Sequence, residues 1–464
     1  MIARPLASLL AAAVALAPAL PRPEAPPPSG ARPNIVFLLA DDLRYDGVGF
    51  MGNDVVHTPA LDALAAGATV FDAAYVTTSI CSVSRASLLS GQYGRRHGLW
   101  GFGGGFDSAA FAKTYPARLR AAGYRTGFVG KYGVGRYDYA SEQFDYWAGF
   151  DGQGSYVGRT GRDGEPIHLT AWMAERAEDF IAAARGDTTG FALSVSFKAP
   201  HAEGTNDFSR FDPALASAYE GVAFEQPIQA EVEHFDYFPP AWQDPNEGRL
   251  RWRARLQDPR DAQEHLEGYY RLVEGLDRAV GRIVDALEAA GVADNTVIVF
   301  TSDNGFYQGE YGLSGKWYAS EPSIRVPLLI WDGRAPRSQR RAELALNVDV
   351  APTLLDYAGL APSEGMQGES LLPLAEGEDV PWRERFLYEH LWPGPNPIPS
   401  TEAVVAPPYK YARHFRGFRE GPVVFEETLD LREDPWELRN LTDVRPGLRD
   451  SLVGVLGEVI AGAR

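Results

Sequence analysis

Asn34-Ile35-Val36-Phe37-Leu38-Leu39-Ala40-Asp41-Asp42 is the stretch that decides the fold. Asn34 to Leu39 is a short apolar run without polar alternation, the pattern of a strand buried on both faces. Thr126 to Val129, Phe191 to Phe197 and Thr296 to Thr301 have the same character. Helical patterns lie between them, over Tyr115 to Ala122, Leu169 to Ala184 and Glu264 to Ala290. Strands alternating with helices predict an α/β fold, a mostly parallel sheet with helices on both faces. Thr58-Pro59 opens another helix, with Thr58 as its cap and Pro59 at the first helical position.

Ligands of such a sheet bind beyond the carboxyl ends of its strands. The first strand ends in Asp41-Asp42 and the Thr126 strand runs into Gly130-Lys131. The Phe191 strand runs into Lys198-Ala199-Pro200-His201, and the Thr296 strand into Asp303-Asn304-Gly305. Asp41, Asp42, Asp303 and Asn304 supply three carboxylates and an amide oxygen, hard donors that suit Ca2+ first and Mg2+ second. Either pair alone reads equally well as a cap or turn. Two such pairs, each following a buried strand, favour a metal. Lys131 and Lys316, the latter in Ser314-Gly315-Lys316-Trp317-Tyr318, are candidate clamps for an anion. His201 is the candidate general acid, since imidazole can protonate a leaving alkoxide near neutrality. His97, in Arg95-Arg96-His97-Gly98, is a second candidate, with a helix C-cap as its structural alternative.

The only cysteine of the chain stands in Cys81-Ser82-Val83-Ser84-Arg85-Ala86-Ser87-Leu88-Leu89-Ser90-Gly91. It falls just before a helical pattern, where free N–H groups give positive partial charge. Arg85, four residues on, shares its helix face.

The 464 residues suffice for one large α/β domain and a smaller one. A hydrophobic content of 45% excludes wholesale disorder. The net charge of -18 argues against nucleic acid, while a locally positive cleft could still take an anion. Residues 1–19 read as a signal peptide: Arg4, then an apolar run from Leu6 to Leu16, then Ala17 and Ala19 in small-x-small spacing. The run is too short for a membrane span, and no cysteine follows it for a lipid anchor. Residues 20–31 are a stiff, proline-rich leader. The protein is therefore expected outside the cytoplasm, in the periplasm or beyond, where one cysteine cannot make an internal disulfide.

Residues 32–373 are expected to form the main domain, ending near a helix over Val348 to Gly359. Residues 374–464 are expected to form a small α+β unit. Val404, Val405, Tyr409 to Phe415 and Val423 to Leu429 alternate like antiparallel strands there, and a last helix runs from Leu448 to Ile460. Ser209 to Arg260, rich in Pro, Asp and aromatics, reads as a long insertion over the sheet edge. Gly101 to Gly105 reads as a plain loop.

Cys81 to Gly91, Gly130-Lys131, Ala199-Pro200-His201, Asp303-Asn304-Gly305 and Lys316 together resemble the type I, formylglycine-dependent sulfatases. So do Thr58 to Asp62, the Glu267 to Val284 helix, Ile324-Arg325-Val326-Pro327 and Asp430 to Leu441. The resemblance covers about residues 32–445. It implies an alkaline-phosphatase-like α/β core with a smaller C-terminal domain. It implies Ca2+ on Asp41, Asp42, Asp303, Asn304 and the modified Cys81, and a maturation enzyme that converts Cys81 to formylglycine. Arg85, Lys131, His201 and Lys316 would surround the sulfate, and the substrate would be a sulfated carbohydrate. Two positions depart from the family pattern. Val83 stands where maturation enzymes usually meet proline or alanine. Tyr132-Gly133 stands where most members have an aromatic residue and then histidine, although glucosamine-6-sulfatase-like members lack it too. Another base, His97 or a water, or else slower turnover of the covalent intermediate, is then expected. Two alternatives stay open: a phosphomonoesterase or phosphodiesterase using the same site, and a sulfated-glycan-binding protein with an unmodified Cys81.

Overall fold

The four apolar runs are four adjacent, parallel strands of one eight-stranded sheet in the computed structural model. It describes residues 32–186, 189–243, 246–391, 398–417 and 421–463. The expected signal peptide and leader lie outside these residues. The central order is Arg125–Lys131, Phe191–Pro200, Asn34–Asp41, Thr296–Ser302. Tyr146–Phe150 extends the sheet in parallel on one side. On the other side Leu328–Asp332 runs antiparallel to both neighbours, and Thr69–Phe71 and Gln339–Arg341 follow. The mostly parallel α/β sheet expected from the sequence is present.

Every residue of Asn34–Asp41 is buried, because its side chains alternate between two apolar layers. Ile35, Phe37 and Leu39 pack with Leu88, Leu119 and Leu354. Val36, Leu38 and Ala40 pack with Leu61, Phe180 and Leu276. Each large side chain so buried contributes roughly 1.5–3 kcal/mol.

Local signals decide where the helices begin. The long helix Pro259–Ala289 starts ahead of Glu264, because Asp258 caps it through the Arg260 amide (2.9 Å) and Pro259 fits its first turn. Pro59 does start the helix Pro59–Ala66, but Thr58 does not cap it. The Thr58 hydroxyl accepts from the Gly49 amide (2.8 Å) instead. Asp277 of the long helix takes the cap role, accepting from the amides of Leu61 (2.8 Å) and Ala60 (3.1 Å).

The Ser209 to Arg260 segment packs on the long helix, on the loop after the Thr296 strand and on Val423–Asp430, the edge strand of a second, four-stranded sheet. Phe224 stacks on Tyr270 of the long helix, with centroids 4.8 Å apart. Phe238 stacks on Tyr318 (4.8 Å) and Trp242 meets Phe425 (5.4 Å). The insertion thus crosses from the helical layer, past the loop that follows the Thr296 strand, to the strand Val423–Asp430. Aromatic burial against three separate partners chose that path. It contains a helix, Glu247–Arg255, that the sequence pattern hides. Its arginines alternate with other residues and imitate a strand, and only Asn246, accepting from the Gly248 amide (2.8 Å), marks its start.

Phe386–His390, Ser400–Ala406, Tyr409–Phe415 and Val423–Asp430 form an antiparallel sheet in chain order. The helix Pro446–Gly462 covers it, with Leu452, Leu456 and Ile460 on Leu387, Val404 and Tyr411. Residues 31–464 form one compact unit. No helix among the described residues is long and apolar enough to cross a membrane.

Candidate active site

The site is built at the carboxyl ends of the central strands. Successive strand residues normally point to opposite faces. Asp42 breaks that rule with φ +67°, a left-handed conformation uncommon outside glycine. Three bonds hold the turn. The Asp42 amide donates to Asp303 Oδ1 (3.2 Å), the Tyr269 hydroxyl to the Asp42 carbonyl (2.8 Å) and the Leu43 amide to Ser302 Oγ (3.0 Å). The turn lets both carboxylates join Cys81 and Asp303, with one ligand atom from each of the four within 4.8 Å of the others.

Cys81 is the first residue of the helix Cys81–Ser90, all of it buried. Lys316 Nζ donates to its Sγ (2.8 Å) and also to Asp42 Oδ1. The thiol lies 3.5 Å from Asp41 Oδ1. Lys131 Nζ donates to Asp41 Oδ2 (2.5 Å). Arg85, one turn along from Cys81, donates to Asp303 Oδ2 (2.8 Å), the Lys131 carbonyl (2.7 Å) and Ser196 Oγ. Asn304 Nδ2 donates to Asp42 Oδ1 (2.6 Å).

Burial disfavours charge on every one of these acids, and the nearby cations decide the outcome. Burial would raise Asp41, but Lys131, His201, Arg85 and Lys316 hold it well below the usual range. Burial would raise Asp42 as well, and Lys316 and His201 bring it down. Asp303 goes the other way: burial and the neighbouring Asp41 raise it to about 6 despite Arg85. Burial pushes the Cys81 thiol up to about 12 against Lys131 and Lys316, so the unmodified group is a poor nucleophile at neutral pH.

The donors fit a hard divalent cation. Asp41, Asp42 and Asp303 gather carboxylates that repel one another. Asn304 Oδ1 is buried without a hydrogen-bond partner among the described residues. An orphaned buried acceptor costs about 1–3 kcal/mol, which a cation beside it would offset.

Two cavities open beside Cys81. One, about 140 Å3, is lined by Lys131, Tyr132, Gly133, Tyr137 and Asp151. The other, about 240 Å3, is lined by His201, Thr205, Arg251, Lys316, Trp317 and Ile398. Phe102 and Gln153 line both. His201 Nδ1 donates to the Ala202 carbonyl (2.8 Å), so Nε2 faces the site, 3.7 Å from Asp42 Oδ2. Burial lowers its pKa to about 4, although Asp41 and Asp42 oppose the shift.

Asp41, Asp42, Cys81, Arg85, Lys131, His201, Asp303, Asn304 and Lys316 are thus brought together. His97 is not. It ends the short helix Gly94–His97, its Nε2 is 3.1 Å from Ser87 Oγ, and its Nδ1 accepts from the Leu99 amide (3.1 Å). It lines neither cavity beside Cys81. One nitrogen serves the local turn and the other the helix Cys81–Ser90, so His97 is corrected to a structural residue. Lys198 went unassigned, though the strand-end rule that found His201 also reaches it. It is buried, bonds to Glu203 (3.1 Å) and the Gly154 carbonyl (3.0 Å), and sits over the Tyr156 ring. Gln153 and Arg251 carry no sequence signal, because folding alone brings their loop and helix to Cys81.

Comparison with known proteins agrees with this architecture. Residues 33–360 match the family described as Sulfatase, and residues 309–449 match N-sulphoglucosamine sulphohydrolase, C-terminal. The chain is 27% identical to the N-acetylglucosamine-6-O-sulfatase of Bacteroides thetaiotaomicron, over 88% of its own length and 82% of that protein's. It is 28% identical to the human N-acetylglucosamine-6-sulfatase, over 81% and 70%. A solved structure in complex with its substrate D-glucosamine-2-N,6-O-disulfate aligns with a TM-score of 0.77 at 23% identity, covering 93% and 98% of the two chains. The phosphonate monoester hydrolase of Agrobacterium radiobacter aligns with a TM-score of 0.73 at 21% identity, covering 93% and 96%. These likenesses establish the alkaline-phosphatase-like α/β fold. The chain belongs to the sulfatase family, and it is a sulfuric ester hydrolase.

Proposed function

We propose that this sulfatase is exported, depends on Ca2+ and formylglycine, and removes sulfate from a sulfated carbohydrate. The observation that carries the reading is the setting of Cys81: a helix N-terminus, Lys316 on its sulfur, and Lys131, His201 and four oxygen-donor residues around it. Residues 1–19 support export. The sugar sulfatases among its relatives support the substrate class.

Asp41, Asp42, Asp303, Asn304 and the modified residue 81 would hold the ion. When bound, Ca2+ supplies positive charge at the sulfate oxygens. Converted to formylglycine, residue 81 would supply a hydrated aldehyde as the oxygen nucleophile for sulfur. Arg85 fixes the first turn of the helix through Asp303 and the Lys131 carbonyl, which holds residue 81 in place. Lys131 and Lys316 direct ammonium groups at the developing charge on the sulfate oxygens. His201, through Nε2, passes a proton to the departing alcohol oxygen. Its lowered pKa means that the protonated form is scarce in the free enzyme above pH 4.

The direct test is the mass of the Cys81-containing peptide from protein exported by its native host. A mass below that of the thiol form, together with reactivity toward carbonyl probes, is expected. An intact thiol in a fully active preparation would overturn the mechanism. Chelation should abolish aryl sulfate turnover, and added Ca2+ should restore it and raise the melting temperature. Turnover untouched by exhaustive chelation would remove the metal from the reading.

A further inference from the structure

The cavity that His201 lines is where a leaving alcohol would lie, and it holds a cation that the chemistry above does not use. Arg251 reaches it from the helix Glu247–Arg255. The Arg251 guanidinium rests on the Trp317 ring, 4.9 Å from its centroid. Its Nε donates to Glu247 Oε1 (2.8 Å), a pair on one helix face. Its two terminal nitrogens have no hydrogen-bond partner among the described residues.

Glu247 would balance that charge if it stood alone. One turn on, Arg255 tips the balance. It is buried and has no carboxylate within ion-pair distance among the described residues. It donates to Asn206 Oδ1 (2.9 Å), Ser314 Oγ (3.0 Å) and the Thr205 carbonyl. Burial and the neighbouring Arg251 lower its pKa to about 9, which leaves it charged at neutral pH. Thr205 lines the same cavity, so Arg255 stands just behind the wall that Arg251 forms, and Asp42, the other acid it faces, is already paired with Lys316. Phe102, an exposed residue of this cavity, adds an aromatic face suited to a sugar ring.

We propose that Arg251 recognises a second anionic group, a sulfate or a carboxylate, on the saccharide whose scissile sulfate sits at residue 81. The proposal rests on the carbohydrate sulfatase reading above. The fixed fork of a guanidinium can bind such a group through two parallel N–H bonds. Trp317 and Glu247 hold that fork in place before substrate arrives, which limits the entropy lost on binding. Arg251 would then be a specificity-determining residue, and the 209–260 insertion would set substrate choice through it.

The test separates recognition from turnover. The full chain carrying Cys81→Ala, which cannot turn over, is titrated calorimetrically with three probes. They are glucosamine 6-O-sulfate, glucosamine N,6-O-disulfate, and a 6-O-sulfated hexosamine joined to a uronic acid. At least one doubly anionic probe is expected to bind about tenfold tighter than the monosulfated sugar, and which one identifies the group. Adding Arg251→Gln should bring that ratio close to one, while Arg251→Lys should keep part of it. Equal affinities in the parent, no binding of any probe, or a preference that survives Arg251→Gln would each overturn the proposal. Turnover of the monosulfated sugar by the converted enzyme tests the carbohydrate reading separately.

Discussion

Gly133 has φ +72°, and a Cβ there would lie 2.8 Å from Cδ of Arg85. The absent histidine is therefore not a vacancy that substitution can fill. A side chain at 133 would press on the arginine that ties Cys81 to Asp303 and the Lys131 carbonyl. Gly133→His should lower kcat/KM on an aryl sulfate by about tenfold or more, since small displacements at a reacting centre can cost up to about 100-fold. A gain in activity would show that Arg85 has room to move. Lys316→Ala should cost more, about 100- to 1000-fold in kcat, because it removes the ammonium beside the nucleophile. His201 gives a pH signature with a defined sign. Its needed form is protonated and its pKa is lowered to about 4, so kcat/KM should fall as pH rises above that value. His201→Gln should flatten that limb in a pH–rate profile, and an unchanged limb would assign it to another group.

At the scale of the element, the cap of Pro59–Ala66 comes from another helix. Asp277 ties the two together through the amides of Ala60 and Leu61. Asp277→Ala should cost about 1–2 kcal/mol of stability, read from denaturant or thermal melts. The pH dependence checks the assignment. Burial raises Asp277 to about 6, with the two amides opposing. A raised carboxyl binds more protons in the folded than in the unfolded chain between about pH 4 and 6, so the parent gains stability as pH falls through that window. The loss on substitution should be about 1 kcal/mol larger at pH 5 than at pH 7. A loss independent of pH would mean that Asp277 titrates normally. The sequence offered Thr58 for this role because cap preferences describe neighbours in the chain. The helix Glu247–Arg255 escaped notice for a related reason, since it is held by Phe235, Phe306 and Trp317 from other segments.

Across the whole molecule, the C-terminal sheet sets the position of Lys316. The Tyr388 hydroxyl donates to the Trp317 carbonyl (2.6 Å), and Lys410 donates to the Ala319 carbonyl (3.0 Å), to Glu321 (2.8 Å) and to Glu437 (2.6 Å). Trp317 has φ +96°, a conformation that costs about 1–3 kcal/mol and persists only where its surroundings hold it. Tyr388→Phe removes one of those holds. Activity should fall about tenfold while stability falls by only about 1 kcal/mol, with conversion of Cys81 held equal by mass measurement. A variant that loses stability but keeps full activity would reduce Tyr388 to a packing role.

The sequence by itself determined the four central strands of the sheet and most of the candidate site. Buried strands and their polar ends are local patterns, and Asp41, Asp42, Lys131, His201, Asp303 and Asn304 each end a legible run. Cys81 was legible as the lone cysteine at the head of its motif, and Arg85 because four residues make one helical turn. Tertiary structure alone decided that His97 is spent on Ser87 and Leu99, that Asp277 replaces Thr58 as a cap, and that Arg251 lies beside Cys81. The first outcome depends on how the chain folds back on its own helix, and the last two on which distant segments share a contact. That is fixed by the packing of two apolar layers and the bridging insertion, and spacing along the chain carries no record of it.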